Sequence, residues 1–212
     1  MTTTCTGLLL AMMEPPASLE EEFQDWYDTE HFPERRDCEG FVTAGRYSCI
    51  DGWPRYLALY DLADTEVLRG PGYARIAGAR YSPWTHRIMS RVWGQYRADG
   101  RQVHPGNALL GAQGASSRIR LLRFRQAEPG SEQAILDGLR AAYEGQAETA
   151  QVRLFRADQP DGIDFIAIVE LRGAGSGQAD AAVFGPAARF LDLVNTYVPY
   201  TRRVAGSFPA TR

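Results

Sequence analysis

Short apolar runs, turn signals and segments of helical period alternate along the first half of the chain. Short apolar runs bounded by Pro, Gly or Asp predict strands, and apolar residues three and four apart predict a helix face. The predicted order is strand, helix, strand, strand, helix, strand, at Gly7–Met13, Leu19–His31, Phe41–Ile50, Tyr56–Leu62, Thr65–Gly78 and Thr85–Tyr96. Pro33 is expected to end the first of these helices.

The second half has the same pattern of apolar runs and helical segments. Its predicted strands and helices, in chain order, are Ile119–Arg125, Ser131–Tyr143, Gln151–Phe155, Ile163–Leu171, Pro186–Asn195 and Val198–Ala205, of which the second and fifth are helices. A connector rich in Gly and small polar residues joins the halves, and it includes one further candidate strand at Asn107–Gly111.

Three phrases recur in the same order in both halves, which indicates an internal repeat. They are YSPW and YVPY near the end of each half, YLALYDL and FIAIVEL in earlier strands, and a Glu-Pro pair near each start. We therefore predict an α+β protein of tandem duplicated ferredoxin-like βαββαβ units, packed sheet to sheet as an α/β barrel, a pseudo-dimer in one chain. The predicted units are residues 1–105 and 106–212, and the first carries the candidate site.

The first helix carries the best candidate for chemistry, His31, which is one of three histidines in the chain. At helical spacing its imidazole leans toward the apolar face that includes Phe23 and Tyr27. Asp28, three residues earlier, is placed to orient the ring, so we assign both residues to catalysis, with His31 as general acid or base. The alternative is a histidine that only caps the helix C-terminus beside a surface carboxylate.

Aromatic and basic residues form the predicted substrate-binding set: Trp26, Tyr27, Arg46, Tyr47, Tyr60, Trp84 and His86. The tyrosines and tryptophans would line a pocket whose hydroxyl groups orient a phenol, quinone or enone. Arg46, like Arg35, would bind an anionic oxygen, and His86 would stand at the pocket rim where a strand begins. The alternatives are an aromatic core, surface ion pairs and an exposed histidine at a strand edge.

Composition and charge exclude several classes of function. Hydrophobic residues make up 44% and charged residues 23% of the chain, which is ordinary for a globular protein. The net charge is −3 and the basic residues form no run, so nucleic-acid binding has no support. No two histidines have the spacing of metal ligands, and no nucleotide-binding or GxSxG motif occurs, so we expect no metal and no other cofactor.

The cysteines and the first apolar run bear on the compartment. Cys5, Cys38 and Cys49 form neither a disulfide pattern nor a zinc motif, and they fit a reducing environment. The run Gly7–Met13 is too short to span a bilayer, and no basic residue precedes it as in a signal peptide. We therefore expect a cytoplasmic protein with no membrane partner.

The sequence WYDTEHFPER at residues 26–35, followed by GF at 40–41 and RY at 46–47, resembles the dimeric α/β-barrel superfamily, with the EthD-like and related families nearest. The resemblance covers residues 6–97 and is weak beyond them. The superfamily includes polyketide cyclases, cofactor-independent monooxygenases, lactone isomerases, aldoxime dehydratases and chlorite dismutases. Its haem-binding members carry the proximal histidine in the second half, where this chain has no histidine after Ile119.

The resemblance implies an enzyme that acts on an aromatic or polyketide-like compound by histidine-mediated acid/base chemistry, as an isomerase, lyase, cyclase or cofactor-free monooxygenase. The alternative is a non-catalytic small-ligand-binding or accessory protein of a catabolic pathway. A third alternative is a structural oligomerisation module. The expected partners are a small aromatic or hydrophobic molecule and, because edge strands would be exposed, a second copy of the chain in a homodimer.

Overall fold

Eight antiparallel strands close into one barrel in the computed structural model, which describes residues 6–111, 116–174 and 180–202. The strands are β1 (Gly7–Glu14), β2 (Phe41–Asp51), β3 (Tyr56–Leu62), β4 (Trp93–His104), β5 (Arg118–Ala127), β6 (Thr149–Gln159), β7 (Gly162–Leu171) and β8 (Leu191–Pro199). Their order around the barrel is β1-β3-β2-β8-β5-β7-β6-β4, and β4 pairs with β1 to complete the circle.

The strands of the two halves are arranged alike, as β4-β1-β3-β2 and β8-β5-β7-β6. The halves are joined where β2 pairs with β8, with Tyr47 opposite Pro199, and where β4 pairs with β6, with Arg101 opposite Arg156. Each join covers a strand edge, so the barrel leaves no open edge among the strands described. The exposed edges that favoured a homodimer are therefore absent, and the homodimer itself stays a prediction.

Helices cover the outside of the barrel, so the mixed α+β class is confirmed. The α-helices are α1 (Glu20–Trp26), α2 (Phe32–Arg36), α3 (Pro71–Ala74), α4 (Pro83–Met89) and α5 (Glu132–Tyr143). Segments of 3₁₀-helix are found at Ala17–Leu19, Thr65–Arg69, Gly78–Arg80, Pro129–Ser131 and Ala181–Phe190. None of the helices in the three described stretches is long and apolar enough to cross a bilayer.

Alternating side chains separate the barrel interior from the layers beneath the helices. In β1, Leu8 and Leu10 face the interior, where they join apolar residues from both halves. Leu9 and Met13 face outward and pack under the helices of the first half with Phe23. The second half has its own apolar layer under α5. The candidate histidine therefore belongs to an outer layer and not to the barrel interior.

A buried ion-pair network crosses the interior from one half to the other. Arg153 of β6 donates to Asp61 of β3 at 2.7 Å and lies 3.5 Å from Glu170 of β7. The backbone N–H of Leu110 donates to Asp61, and that of Gly111 donates to Glu170 at 3.0 Å. The further strand predicted in the connector is wrong, because its backbone groups bond to these carboxylates instead of to a neighbouring strand.

The first helical region continues past the proline that was expected to end it. A π-helical turn, Tyr27–His31, follows α1, and the N–H of Phe32 donates to the carbonyl of Tyr27, five residues earlier. Pro33 then lies in the first turn of α2, where its missing N–H costs no hydrogen bond. The prediction of a helix end at Pro33 is therefore wrong.

Helix α4 occupies the start of what was predicted as the fourth strand. The hydroxyl oxygen of Ser82 accepts from the N–H of Thr85 at 2.9 Å, and Pro83 stands at the first helical position. These are favourable features of a helix start. The strand begins only at Trp93, so the prediction at Thr85–Tyr96 is wrong over its first part. The helix predicted at residues 65–78 is divided into a 3₁₀ segment and the short α3.

The second half follows its prediction closely except near its end. The helix expected at Pro186–Asn195 lies earlier, as the kinked 3₁₀ segment that ends at Phe190, and β8 begins directly after it at Leu191. Gly185 has a φ of 52°, which places the kink inside that segment. The strand predicted at Val198–Ala205 extends partly outside the described residues.

Candidate active site

A small cavity lies between the helices of the first half and the outer face of β1 and β4. Its volume is about 60 Å³, which is room for a few water molecules. Apolar and aromatic side chains line it together with one histidine and two arginines: Leu9, Ala11, Met12, Met13, Tyr27, His31, Arg35, Tyr60, Tyr73, Tyr81, Met89, Gln95, Tyr96 and Arg97. A mostly apolar cavity with a few convergent polar groups is typical of a small-molecule site.

The imidazole of His31 reaches this cavity from the end of the π-helical turn, and only 6% of the residue is exposed. Its ring packs on the indole of Trp26, with 4.0 Å between centroids, and edge-on against Tyr27 at 5.1 Å. Among the described residues, none hydrogen-bonds to either ring nitrogen, and Nδ1 is buried without a partner. Native structures seldom leave such a group unsatisfied, so the unpaired imidazole marks a position that needs a functional explanation.

The charge state of His31 follows from its surroundings. Burial, and then the positive charges of Arg35 and Arg46, hold its pKa well below the ordinary histidine value. The imidazole is therefore neutral at physiological pH and able to accept a proton. The site also favours negative charge on a ligand, because Arg35 and Arg97 line the cavity and none of the described lining residues is a carboxylate.

Two tyrosines add hydroxyl groups to the cavity wall. Tyr27 and Tyr60 are 2% and 1% exposed, and their hydroxyl groups neighbour each other in the cavity wall. Burial raises the pKa of Tyr27 and raises that of Tyr60 well above the usual value, so both remain protonated donors. The cavity thus combines a neutral proton acceptor with hydroxyl donors.

Asp28 does not orient His31. It forms an ion pair with Arg46 of β2, and Arg46 also donates to Gln24 at 2.5 Å. The predicted pairing is wrong because the π-helical turn holds more residues than an α-helical turn, which rotates residues three apart away from each other. The aspartate therefore points to solvent and toward β2 while the imidazole points to the core.

Arg46 does not reach the cavity either. Its guanidinium lies between the rings of Tyr27 and Tyr200, 4.2 and 4.4 Å from their centroids. With both these rings and two hydrogen-bonded side chains around it, Arg46 is fully engaged and forms part of the wall behind Tyr27. The prediction that it binds substrate directly is not supported by its position.

The other predicted binding residues are dispersed. Trp26 is fully buried and donates from Nε1 to Thr85, so it supports the imidazole without lining the cavity. Tyr47 belongs to the barrel interior, on the other side of the sheet. Trp84 donates to Glu22 at 3.2 Å on the helical surface. His86 is exposed on α4, which agrees with the alternative of an exposed histidine, although on a helix.

Several residues of the cavity were not found from the sequence. Tyr81 lies just before α4, Met89 is its last residue, and Tyr96 lies early in β4, where its hydroxyl donates to Asp164 at 2.6 Å. These side chains reach the cavity because α4 begins at Ser82-Pro83. The sequence contains this helix-start signal, but the pattern there predicted a strand. Recognising it would have placed these side chains beside the first helix.

The described residues offer no resident metal site. Within the three described stretches no group of three or more His, Cys, Asp or Glu side chains is placed to hold a metal ion. Cys38 and Cys49 are free thiols, and Cys5 lies outside the described residues.

Several solved structures share this fold. An anthrone oxidase-like protein matches with a TM-score of 0.69 and 14% identity, over 97% of this chain and 96% of that protein. A candidate monooxygenase from Fusobacterium nucleatum matches at 0.55 and 6% over 92% of each chain. Another from Lactobacillus acidophilus matches at 0.50 and 10%, over 92% of this chain and 94% of its own.

These identities support the barrel fold and no closer relationship. No family model matches the chain, and no curated protein matches it. The predicted resemblance is therefore confirmed at the level of the barrel, while membership of the EthD-like family stays a prediction.

Proposed function

We propose that this chain is a small-molecule enzyme in which the neutral imidazole of His31 takes a proton from an aromatic or polyketide-like substrate, without metal or nucleotide. The observation that carries the proposal is a buried imidazole that lines a cavity and has no hydrogen-bond partner among the described residues. A histidine that served only to cap a helix would bond to a carbonyl or a carboxylate. The depressed pKa of His31 suits a base.

Cofactor-free oxidation is the reaction type that we favour among those that the resemblance implies. The solved structures with this fold include an anthrone oxidase-like protein. An anthrone has an acidic C–H bond that a histidine can deprotonate. The C–H bond breaks, an N–H bond forms on the imidazole, the carbanion adds to dioxygen, and the peroxide anion so formed takes the proton back from the imidazolium. The resulting hydroperoxide loses water and leaves a ketone, so anthrone and dioxygen give anthraquinone and water.

Entry of such a substrate requires the mouth of the cavity to open. A volume of about 60 Å³ is smaller than a three-ring compound. Tyr81 and Met89 are only partly buried, and Gln95 is exposed. These side chains stand between the cavity and solvent, so their rotation outward is part of the proposal.

The test measures two reactions of anthrone with the purified protein. Oxygen uptake reports oxidation, and exchange of the acidic C–H with D₂O under nitrogen, followed by NMR, reports proton transfer alone. We expect His31→Gln to lower both rates by about 10²-fold or more, as for loss of a positioned base. His104→Gln, at a histidine that contacts Glu144 of the second half and does not line the cavity, serves as the matched control and should leave both rates unchanged.

The outcomes separate the possibilities. If His31→Gln keeps both rates within a few-fold, the assignment of the base is wrong. Exchange without oxygen uptake would replace oxidation by an isomerase, lyase or cyclase reaction at the same base. Stabilisation of the protein by anthrone with neither reaction would support the second candidate, a small-ligand-binding protein of a catabolic pathway.

We also propose the finer points of architecture and location. The like strand orders of the halves and their recurring phrases support a tandem duplication with units at residues 1–105 and 106–212. Two free cysteines support a reducing compartment such as the cytoplasm. A homodimer would have to form through helices or loops, because the described strand edges are paired.

A further inference from the structure

We propose that Arg35 is the oxyanion-binding residue of this cavity, and that the substrate is therefore an enolisable carbonyl compound or a phenol that reacts as its anion. This inference rests on the proposed function, which places a proton acceptor in the same cavity. It adds the class of substrate and a second residue that acts on the reacting atoms.

The burial and bonding of Arg35 are the first support. The residue is 3% exposed and ends in the cavity wall. One terminal nitrogen donates to the carbonyl oxygen of His31 at 3.0 Å, which fixes the guanidinium against the turn that carries the imidazole. Its remaining N–H groups have no partner within residues 6–111, 116–174 and 180–202, and a guanidinium has five donors to satisfy.

The weakness of the ion pair between Arg35 and Glu34 is the second support. The nearest carboxylate oxygen belongs to Glu34 at 3.7 Å, beyond hydrogen-bond distance, and that side chain is 36% exposed. Burial, followed by the charge of Glu30, raises the pKa of Glu34, which the charge of Arg35 only partly offsets. By contrast, Arg46 is held by both Asp28 and Gln24. A buried cation without a bound anion is costly, and an anionic ligand would remove that cost.

The composition of the cavity wall is the third support. It contains the cation of Arg35 and the hydroxyl groups of Tyr27 and Tyr60, and no carboxylate among the residues that the structure describes. The nearby cation of Arg97 is already paired with Asp99 at 2.8 Å. The site therefore favours negative charge on a bound molecule, and the charge must sit near the guanidinium of Arg35.

These positions describe one proton transfer. The substrate C–H or O–H bond breaks, an N–H bond forms on the imidazole of His31, and the electron pair moves to the substrate oxygen. The N–H groups of Arg35 donate to that oxyanion, while the tyrosine hydroxyls remain available to the same atom. The step needs no oxidant, and it is the same for isomerisation, cyclisation or later oxidation.

The test uses 4-nitrophenol, whose hydroxyl ionises near neutral pH and whose anion is coloured. Binding to the wild-type protein is measured below and above that ionisation. We expect the anion to bind at least about tenfold more tightly than the neutral phenol. Arg35→Met should weaken binding of the anion by about tenfold or more and leave binding of the neutral form within a few-fold.

Matched variants keep the result interpretable. Arg36→Met removes the next arginine, which is exposed and paired with Asp37, and should change neither affinity. Arg35→Lys keeps the charge and should retain part of the preference for the anion, which also covers a failure of Arg35→Met to fold. Equal affinity of the wild-type protein for the two forms, or an unchanged preference in Arg35→Met, would overturn the inference.

The outcome is separable from that of the proposed function. The preference for the anion should survive His31→Gln, because it belongs to the guanidinium. If this preference is absent while His31→Gln abolishes proton exchange, the base stands and Arg35 is not the oxyanion-binding residue. If the preference is present while His31→Gln remains active, the anion site stands and the base is wrong.

Discussion

A buried imidazole that neighbours two guanidinium groups cannot easily gain a proton. His31 has aromatic rings on two sides and the charges of Arg35 and Arg46 nearby, so both burial and electrostatics oppose the imidazolium form. The folded protein therefore excludes a proton that the unfolded chain would bind. This difference links the charge state of one residue to the stability of the whole chain.

The stability of the protein should accordingly fall as pH drops below about 6.5, the ordinary histidine pKa. Because the pKa of His31 is depressed in the folded state, the unfolded state binds more protons in this range, and stability rises with pH. The contribution reaches up to about 1.4 kcal/mol per pH unit. Urea denaturation of the wild-type protein and of His31→Gln at several pH values measures it, and equal slopes for the two proteins would contradict it.

The sequence predicted the helix face on which His31 lies but not the partner of Asp28, and the difference has a physical reason. Helical spacing places His31 and Tyr27 on the apolar face whether the local turn is α or π. The partner of Asp28 does not follow from helical spacing. It is Arg46 of β2, and the pairing depends on the rotation introduced by the π-helical turn. A pairing between two positions on one helix is visible in a sequence only when the helix is regular.

At the scale of elements, α4 is fixed to the first helical region by a chain of buried hydrogen bonds. Trp26 donates to the hydroxyl of Thr85 at 2.9 Å, and that hydroxyl donates to Glu30 at 3.0 Å. Ser82, at the start of α4, donates to the same carboxylate at 2.5 Å. These contacts hold the two helical elements that form the outer wall of the cavity.

Thr85→Val should therefore destabilise the protein by about 1–3 kcal/mol, because it leaves the buried indole N–H of Trp26 without an acceptor. The free energy of unfolding from urea denaturation measures the effect. Thr201→Val, at an exposed threonine, is the matched control and should change stability by less than about 0.5 kcal/mol. A similar loss in the two variants would show that the contact contributes nothing specific.

Apolar runs bounded by turn signals were the elements that the sequence predicted best, as the agreement at Tyr56–Leu62 shows. The errors fall on α4 and on the 3₁₀ segment before β8. Both are short, and short helices owe more to tertiary contacts such as the Trp26–Thr85 bond than to their own periodicity. Pattern alone therefore assigned residues of α4 to the strand that follows it, and the first residues of β8 to the helix that precedes it.

At the scale of the molecule, the two halves share one interior and one ion-pair network. Arg153 is fully buried and reaches from β6 to Asp61 of the other half, with Glu170 as a second carboxylate. The sequence predicted a barrel from the repeat. It could not predict this network, because the three residues are far apart in the chain and have no motif in common.

Arg153→Met should destabilise the barrel by about 3–5 kcal/mol, since it leaves two buried carboxylates without their cation. Thermal and urea unfolding of the variant should show this loss. Arg156→Met, on the same strand and paired at the surface with Asp158, should cost no more than about 1 kcal/mol. Similar losses in the two variants would mean that the buried network does not stabilise the fold.

The joins between halves also have a consequence for biosynthesis. The outer edge of β2 pairs with β8, with Tyr47 opposite Pro199. The ribosome must therefore add about 150 further residues before that edge is covered. Until then Leu8 and Leu10 of the nascent chain present an apolar sheet face to solvent or to a chaperone. Slowing translation between the halves should therefore increase misfolding more than slowing it within either one.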